Sequence, residues 1–313
     1  MDLPHEFAWS ASRASNFAEC RRRHYYSYYG GWLGWDSRAE PARREIYQLG
    51  KLKRMPMVAG SAVHESLSDY FHAKPGHVAD VKETTDRALS KLRESFRESQ
   101  SGKWRQSLSK FTYLAEHYYG EDSVSDRAAT ASYGTRYVER IERCVQGFFT
   151  LRDLAWVREA SPDDYVFVET SENKFGSFKL HDLKVFGTPD FALRDGDGNV
   201  HLYDWKTGRP TEDDAFQLHV YAIFAREEWG VPLERFTGYD VYLDGGAVVR
   251  CEITPESLAA AESRIQSSAD AMRELHFDAG RGMGDAEAFP LIPLDSPAAR
   301  ACARCNFREL CGR

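Results

Sequence analysis

Two aspartates and one lysine are spaced like the acidic ligands and the charged donor of a hydrolytic metal site. Asp190 ends the triplet TPD, Asp204 opens DWK, and 13 residues lie between them. Two adjacent strands would bring both carboxylates to the same end of a sheet, where hard oxygen ligands hold Mg²⁺ or Mn²⁺. Lys206 would lie on the same face as Asp204, because side chains alternate along a strand with period 2. Such an ion neutralises a scissile phosphate and lowers the pKa of its bound water, while the lysine orients that water or stabilises the developing charge.

The same three residues also fit an ordinary β-hairpin with exposed acids and a surface lysine. D-x-K is a short pattern that recurs by chance, so the pattern alone does not favour hydrolysis. The motifs around it decide between the two interpretations.

Charge is distributed unevenly along the chain. The whole sequence carries 41 Lys and Arg against 48 Asp and Glu, a formal net charge of −7. Residues 1–120 hold 19 basic and 14 acidic residues, a net of +5, and residues 121–313 hold 22 and 34, a net of −12. The first part is therefore suited to a polyanion and the second to divalent cations.

Basic and aromatic residues are interleaved near the N-terminus. Cationic side chains that follow a phosphate backbone, beside aromatic faces that stack on bases, are typical of single-strand binding. Alternatively, the tyrosines are core residues and the arginines form a solvated face. The candidate DNA contacts are Arg21, Arg22, Arg23, Tyr25, Arg43 and Arg44.

Hydrophobic spacing divides the chain into a helical first half and a second half that is rich in strands. The segment from Ser10 to about Tyr29 reads as one helix, and three or four more helices, WRQSLSKFTYLAEHYY at 104–119 among them, are predicted between Val58 and Ala160. After Pro162 the period changes from about 3.6 to 2. The elements predicted there are strands at 166–170, 184–193 and 200–206, a helix at 215–229, a hairpin across Gly245-Gly246 and a helix at 256–277.

Further motifs surround D-x-K in an order that chance should rarely supply. A histidine stands in a G-x-x-x-H context at 60–64, GTPD occupies 187–190, and QLHVY begins at residue 217 on a predicted helix. With these motifs the sequence resembles the PD-(D/E)XK nuclease superfamily, and within it the RecB/AddB-like branch that includes the CRISPR adaptation nucleases.

The resemblance implies a set of metal ligands. His64, Asp190 and Asp204 would bind Mg²⁺ or Mn²⁺, together with the backbone carbonyl of Trp205. Glu169, on the preceding strand, falls where the family often carries an acid.

The resemblance also implies the catalytic group. Lys206 would be the catalytic lysine, acting with Asp190 and Asp204. Gln217 and Tyr221 match the Q-x-x-x-Y helix that packs beside the site and helps to position the lysine and the DNA.

The cysteines provide a second match. Six cysteines in 313 residues are too sparse for a disulfide scaffold, and three of them lie in the last twelve residues, which indicates a metal site. The resemblance implies that Cys20, Cys302, Cys305 and Cys311 together bind a [4Fe-4S] cluster. Four thiolates can equally hold Zn²⁺ in a tetrahedral site, so zinc is the alternative. The family's Cys-Pro is Cys20-Arg21 here, which alters the start of a helix rather than the thiolate.

The element order predicts an α/β protein with a mixed sheet flanked by helices. The resemblance implies a restriction-endonuclease-like core with a large N-terminal helical insertion and a C-terminal cysteine cluster. Cys144 and Cys251 are expected in the core. The expected segments are 1–55 (N-terminal helix and basic aromatic connector), 56–160 (helical region carrying His64), 161–295 (nuclease core) and 296–313 (iron–sulfur segment).

No membrane span is predicted, because the longest apolar runs have about six residues. The opening residues MDLPHEFAWS carry neither the apolar nor the Arg-rich features of a targeting segment. A cytoplasmic protein without a membrane partner is therefore expected.

The leading hypothesis is a metal-dependent DNA nuclease that acts as an exonuclease on single strands or DNA ends. Its setting would be DNA repair and recombination, phage defence or CRISPR adaptation. The motif G-x-x-x-x-G-K-[S/T] does not occur, so unwinding would fall to a partner helicase, and CRISPR adaptation proteins are further possible partners.

Two rival hypotheses come from other functional classes. One is a catalytically silent iron–sulfur DNA-binding subunit of a helicase–nuclease complex. Retention of Asp190, Asp204 and Lys206 together argues against it. The other is a zinc-stapled structural protein with an incidental D-x-K, which leaves the GTPD, QLHVY and G-x-x-x-H matches unexplained.

Overall fold

The structure is a computed structural model that describes residues 5–73, 79–105, 107, 110–170, 172–173, 175–275 and 286–313. Its α-helices are α1 (Ala11–Glu19), α2 (Arg21–Tyr25), α3 (Pro41–Gly50), α4 (Met55–Phe71), α5 (Val81–Ser101), α6 (Ala115–Tyr118), α7 (Arg127–Thr150), α8 (Ala155–Glu159), α9 (Asp214–Trp229) and α10 (Pro255–Arg273). Its strands are β1 (Ala8–Ser10), β2 (Tyr165–Val168), β3 (Ser177–Leu180), β4 (Leu183–Phe186), β5 (Phe191–Arg194), β6 (Val200–Lys206), β7 (Phe236–Tyr242) and β8 (Ala247–Glu252).

The chain forms two compact units, each assembled from separate segments. Unit 1 comprises residues 1–52, 179–186 and 262–313, and unit 2 comprises residues 53–178 and 187–261. The mixture of helices with two mixed sheets confirms the predicted α/β class. The four functional segments expected from the sequence stay a prediction.

Unit 2 is built on a five-stranded sheet of order β2-β5-β6-β7-β8. Strands β6 and β7 run parallel, and the other neighbours are antiparallel. The register sets Asp204 opposite Asp240. Because side chains alternate along a strand, Asp204 and Lys206 lie on one face of β6, and Tyr203 and Trp205 lie on the other.

The core of unit 2 joins the sheet to helices α4, α5 and α7. Phe71 stacks on Phe191 with ring centroids 4.0 Å apart, and Trp205 and Phe148 complete the aromatic contacts. Pro56 near the start of α4 has no N–H to satisfy, and the Glu116 carboxylate accepts the free Met55 N–H at 3.0 Å. The apolar helix that carries His64 is thus fixed at its start and buries one face along its length.

Helix α9 packs on the β6–β7 part of the sheet, on the face of Asp204. Gly238 permits this approach, because a Cβ atom there would lie 3.2 Å from Leu218 of α9. Gly187, in GTPD, is more tightly constrained, since its Cβ would lie 2.8 Å from Val220 Cγ1. The helix that carries Gln217 and Tyr221 therefore contacts the sheet at glycine.

Unit 1 contains β1 and β4, which run parallel in the sheet of order β1-β4-β3. Trp9 is fully buried, and its Nε1 donates a hydrogen bond to Ser268 Oγ at 3.2 Å. The Asn306 amide donates to the Leu52 carbonyl at 2.9 Å. These bonds connect the first and last segments of the chain within one unit.

The predicted helix from Ser10 to Tyr29 is wrong as a single element. Cys20 is extended (φ −157°, ψ 112°) and divides the segment into α1 and α2, followed by a π-helical turn at Tyr26–Gly30. Helical spacing continues across this break because both pieces bury one face. The helix predicted at 104–119 is also wrong, since among its described residues only α6 is α-helical.

The predicted strand at 184–193 is two strands in two different sheets, β4 and β5, separated by Gly187-Thr188-Pro189. Strands β1 and β3 were not predicted. The hairpin that joins β5 to β6 through 195–199, the hairpin across Gly245-Gly246 and the helix at 215–229 are confirmed. The helix predicted at 256–277 is α10, and residues 276 and 277 lie outside the described part.

Candidate active site

Three side chains from three elements meet at one end of the unit 2 sheet. His64 comes from α4, Glu169 follows β2, and Asp190 precedes β5. One ligand atom of each lies within 4.8 Å of the other two. His64 Nδ1 and Asp190 Oδ1 are 3.1 Å apart. An imidazole nitrogen and two carboxylate oxygens form a donor set that suits a divalent cation, and Mn²⁺ accepts the nitrogen more readily than Mg²⁺ does.

The sheet itself brings these acids together. The Asp190 N–H donates to the Tyr203 carbonyl at 3.2 Å, and the Glu169 N–H donates to the Asp190 carbonyl at 2.9 Å. Asp190 Oδ2 also accepts the Trp205 N–H at 2.6 Å. Backbone bonds across β2, β5 and β6 therefore fix the carboxylate of Asp190 at the carboxyl end of β6.

Lys206 is held beside this group by polar contacts. Its ammonium donates to Gln217 Oε1 at 2.8 Å and forms a short ion pair with Asp204 Oδ2. The Gln217 amide in turn donates to the Tyr221 hydroxyl. Because residues four apart lie on one face of a helix, α9 presents both partners to the lysine.

Two further acids surround the ammonium of Lys206. Asp214 Oδ1 lies 3.6 Å from Nζ and Asp240 Oδ1 lies 3.9 Å from it. Both aspartates are buried, and Lys206 is partly buried. Their positions follow from the fold, since Asp214 begins α9 and Asp240 faces Asp204 across β6 and β7.

The end of β6 is secured from two sides. The Leu243 N–H donates to the Lys206 carbonyl at 2.9 Å. The guanidinium of Arg140, on α7, donates to the Thr207 carbonyl through Nε at 2.7 Å and also through Nη2. These bonds fix the backbone on which the lysine stands.

Ionisation in the site departs from ordinary behaviour. Although burial disfavours the charged ring, the Asp190 carboxylate raises the pKa of His64 to about 9. Burial would raise the pKa of Asp190, but the His64 ring outweighs it and lowers that pKa. Burial, reinforced by the charge of Asp190, raises the pKa of Asp204 well above its usual range against the pull of Lys206. Burial opposes the charge on Lys206 too, yet Asp204 raises the pKa of the ammonium.

Some of the predicted metal ligands lie close enough together to share an ion, and others do not. His64 and Asp190 belong to the three-residue group, and Glu169, which the sequence indicated only faintly, completes it. Asp204 lies next to Asp190, but its Oδ2 is in contact with the lysine. The Trp205 carbonyl stays a predicted ligand. No other group of three His, Cys, Asp or Glu atoms in the described part of the chain is as compact.

A family comparison covers nearly the whole chain. The model of the PD-(D/E)XK nuclease superfamily matches residues 8–312. The chain belongs to the PD-(D/E)XK nuclease superfamily. Members are in general metal-dependent nucleases, so the chain is assigned as a hydrolase of nucleic acid with DNA as its implied substrate. A search of curated proteins gave no match.

A cavity of about 570 Å³ opens onto the candidate active site of this PD-(D/E)XK protein. It runs along the face of α4 from Met57 to His72, with His64 and Glu169 among its walls. Lys91 of α5 also lines it and is paired with Glu65 at 3.2 Å and Asp69 at 3.1 Å. The cavity gives a substrate access to the histidine side of the site.

The four candidate cluster cysteines surround one small cavity in unit 1. Cys20 stands at the break between α1 and α2, where its sulfur accepts the Arg23 N–H at 3.4 Å. Cys302, Cys305 and Cys311 line the same cavity. No three cysteine sulfurs among the described residues lie within 4.8 Å of one another.

The remaining two cysteines differ from each other. Cys144 is fully buried on α7, as predicted. Cys251 is only half-buried on the edge strand β8, so its prediction as a core residue is wrong. Edge strands have one neighbour fewer and leave such side chains in contact with solvent.

The predicted N-terminal DNA contacts have partners inside unit 1. Arg22 Nε donates to the Phe289 carbonyl at 2.7 Å, and Arg23 pairs with Glu19. The Arg21 guanidinium lies 4.6 Å from the centroid of the Phe17 ring.

Tyr25 and the two later arginines are placed differently. The Tyr25 ring packs against Phe289 at 5.4 Å. Arg43 donates to the Trp32 carbonyl at 3.4 Å, while Arg44 is exposed. Several of these residues therefore have structural contacts, and a role in DNA binding stays a prediction for all six.

Asp214 and Asp240 are site residues that the sequence analysis missed. A signal for Asp214 was present, because it precedes Gln217 by three residues on one helix face. Asp240 had a weaker signal, since its position depends on β7 pairing in register with β6. A parallel partner strand cannot be identified from alternation alone.

Proposed function

We propose that this protein is a DNA exonuclease of the RecB/AddB-like branch that hydrolyses phosphodiester bonds with Mg²⁺ or Mn²⁺. One observation carries the proposal: a lysine fixed by Gln217 and Asp204 lies beside the His64–Glu169–Asp190 group. Hydrolysis of a phosphodiester needs a cation site and a charged donor together. A D-x-K motif that occurred by chance would not explain why His64, Glu169 and Asp190 lie beside it.

The chain's own residues would divide the work. His64, Glu169, Asp190 and Asp204 would hold the metal ion with the Trp205 carbonyl. When bound, the ion supplies charge neutralisation and a more acidic water. Lys206 would orient the attacking water or donate to the phosphate oxygen that gains charge. Gln217, itself fixed by Tyr221, would keep the ammonium directed at that oxygen.

The substrate is proposed to be a single DNA strand or a frayed end. The cavity along α4 offers a path for a backbone past His64 and Glu169. Exposed cations such as Arg44 would add sequence-independent phosphate contacts. Preference for ends, CRISPR adaptation proteins as partners and a role in repair or phage defence are what the resemblance implies, and a partner helicase would supply unwinding in the absence of a G-x-x-x-x-G-K-[S/T] motif. A cytoplasmic location stays a prediction.

The cysteine cavity supports an iron–sulfur staple within unit 1. A single tetrahedral Zn²⁺ with Zn–S bonds of about 2.3 Å would require sulfurs less than about 4 Å apart. The four cysteines line one cavity, yet no three of their sulfurs are that close. The shared cavity suits a metal group held by all four thiolates, and the resemblance favours a [4Fe-4S] cluster, with zinc as the alternative.

Digestion of end-labelled DNA tests the nuclease proposal. Linear and circular single strands and duplexes are incubated with Mg²⁺ or Mn²⁺ and the wild-type protein. Loss of one preorganised charged donor lowers kcat by a factor of about 10²–10³. The kcat of Lys206→Ala should therefore be lower than that of the wild type by the same factor. Lys82→Ala is the matched control, because Lys82 is exposed on α5 and its ion pair is with the exposed Asp86, on the same helix.

The substrates separate the possible outcomes. Degradation of linear but not circular strands supports an exonuclease, and cutting of circles would replace it with an endonuclease. A wild-type protein that hydrolyses no DNA with either ion would overturn the proposal in favour of the silent subunit.

A further inference from the structure

The ammonium of Lys206 and a metal ion would compete for the same carboxylate. Asp204 Oδ2 is the oxygen that forms the short ion pair with Lys206. Asp204 is also the acid of the D-x-K motif, and the proposed function assigns it to the metal. A carboxylate that turns towards a divalent ion releases part of its hold on the lysine.

A second pair of acids is already in place around that lysine. Asp214 is fixed by the Thr211 N–H at 2.9 Å, by the Thr211 hydroxyl at 2.6 Å and by the Tyr242 hydroxyl at 2.7 Å. Asp240 is 3 % exposed, and its Oδ1 has no hydrogen-bond partner among the described residues. That oxygen lies 3.9 Å from Lys206 Nζ. Asp214 is thus fixed by three hydrogen bonds, and Asp240 has a carboxylate oxygen that can accept a hydrogen bond from the lysine.

We propose that Asp214 and Asp240 are positioning residues, which retain the Lys206 ammonium in the site when Asp204 binds the metal ion. The inference rests on the proposed function. A buried ammonium that loses its paired carboxylate is strongly destabilised unless other anions compensate. With the acid pair in place, the lysine moves by little more than a hydrogen-bond length and stays beside Gln217.

The acid pair should therefore favour metal binding as well as turnover. In the metal-free protein Lys206 has Asp204, so loss of Asp240 is partly compensated. In the metal-bound protein the lysine depends on Asp214 and Asp240. Asp240→Asn should consequently destabilise the metal-bound state more than the free state.

Calorimetric titration with Mn²⁺ alone measures the affinity for the ion without turnover. The electron paramagnetic resonance signal of free Mn²⁺ provides an independent check. We expect Asp240→Asn to weaken Mn²⁺ binding about tenfold, within the range of coupling between contacting residues. In a Lys206→Met background the same substitution should change the affinity by less than about twofold, because no ammonium remains to be held. Asp244→Asn, on the same hairpin and paired with Arg143, removes an equal charge outside the site and is the control.

Each outcome bears on a separate statement. Equal weakening by Asp240→Asn in the wild-type and Lys206→Met backgrounds would mean a simple charge effect and would overturn the inference. Unchanged affinity in Asp240→Asn would overturn it too, while a wild-type protein that binds no Mn²⁺ would overturn the proposed function itself. If Asp240→Asn does not fold, Asp214→Asn measured in the same two backgrounds gives the same test.

Discussion

In the metal-free protein, the protonated His64 ring supplies the positive charge that a bound metal ion would otherwise supply to the neighbouring carboxylates. The pKa of His64 is raised to about 9 because Asp190 and its neighbours offset the cost of burial. At neutral pH the ring is therefore charged in the metal-free protein. A metal ion requires the neutral ring and ionised carboxylates, so its binding must release protons.

The stability of the metal-free protein should depend on pH through this residue. A raised folded-state pKa stabilises the fold fully below the unfolded value of about 6.5, and the contribution is lost as pH rises through about 9. We expect the free energy of unfolding, measured in urea with a chelator, to fall by about 2 kcal/mol between pH 6.5 and 9. Added Mn²⁺ should reduce that fall, because the ion binds better as the ring loses its proton.

The His64→Gln variant provides the control for the pH series. Its unfolding free energy should be flat over this interval apart from changes shared with the wild type. If the unfolding free energy of His64→Gln falls with pH as steeply as that of the wild type, another group causes the pH dependence. The electrostatic explanation from the His64–Asp190 pair would then be wrong.

Single residues were predictable where a motif fixes both type and spacing. His64, Asp190, Asp204 and Lys206 meet because their positions depend on two confirmed elements, the β5–β6 hairpin and α4. Glu169 was only weakly indicated, since a lone acid after a strand has no period. Its place in the group depends on the backbone bond to the Asp190 carbonyl.

At the scale of elements, helix α7 packs closely on the end of β7. A Cβ atom at Gly147 would lie 2.3 Å from the carbonyl oxygen of Leu243, which is a backbone atom that cannot move aside easily. At Gly134, on the same helix, such a Cβ would have no atom of the described residues within 4 Å apart from the local helix backbone and its chain neighbours. One helix thus contains two glycines in opposite environments.

Alanine should have opposite effects at these two glycines. Helix propensity alone favours alanine over glycine by about 1 kcal/mol, so Gly134→Ala should stabilise by up to that amount. Gly147→Ala should instead destabilise by about 2 kcal/mol or more, because the backbones must separate.

Chemical denaturation of both variants checks these effects of opposite sign. Gly147→Ala should also lower kcat, since Leu243 bonds to the Lys206 carbonyl. Equal stability of the two variants would contradict the close contact between α7 and β7.

Elements were predictable where the hydrophobic period is long and uninterrupted, as in α9 and β6. Two breaks escaped detection because they depend on tertiary contacts. Cys20 interrupts a helical pattern by turning its sulfur onto the Arg23 N–H. The segment 184–193 changes sheet at Gly187, where Val220 of α9 leaves no room for a side chain.

On the scale of the whole molecule, unit 1 takes its residues from three distant segments, and the four cysteines belong to the first and the last. Linking Cys20 to Cys302 closes most of the chain into one loop. By analogy with a disulfide, this restricts the unfolded ensemble by roughly 5–6 kcal/mol, although metal binding adds its own terms. None of these thiolates belongs to the hydrolytic group.

Substitution of each cluster cysteine should act on stability before activity. We expect Cys20→Ser, and likewise serine at 302, 305 or 311, to abolish bound iron and sulfide in anaerobically purified protein and to lower the thermal midpoint. Cys251→Ser is the matched control, because Cys251 is half-buried and lies on β8, outside the cysteine cavity. Cys144→Ser should also keep the cluster.

Metal analysis distinguishes a [4Fe-4S] cluster from a Zn²⁺ ion at the four cysteines. Brown protein with iron and sulfide supports the cluster, and colourless protein with stoichiometric zinc would replace it while leaving the staple itself in place. No helix in the described part of the chain is long and apolar enough to cross a bilayer.

The divided make-up of unit 1 also sets an order of events during synthesis. Residues 1–52 leave the ribosome before residues 262–313, which complete their unit. At 5–20 residues per second this interval lasts roughly 10–50 s. Throughout it, unit 2 can fold while Cys20 has no partner thiols from the C-terminal segment. Assembly of the proposed cluster would therefore have to wait until the C-terminal segment has been synthesised.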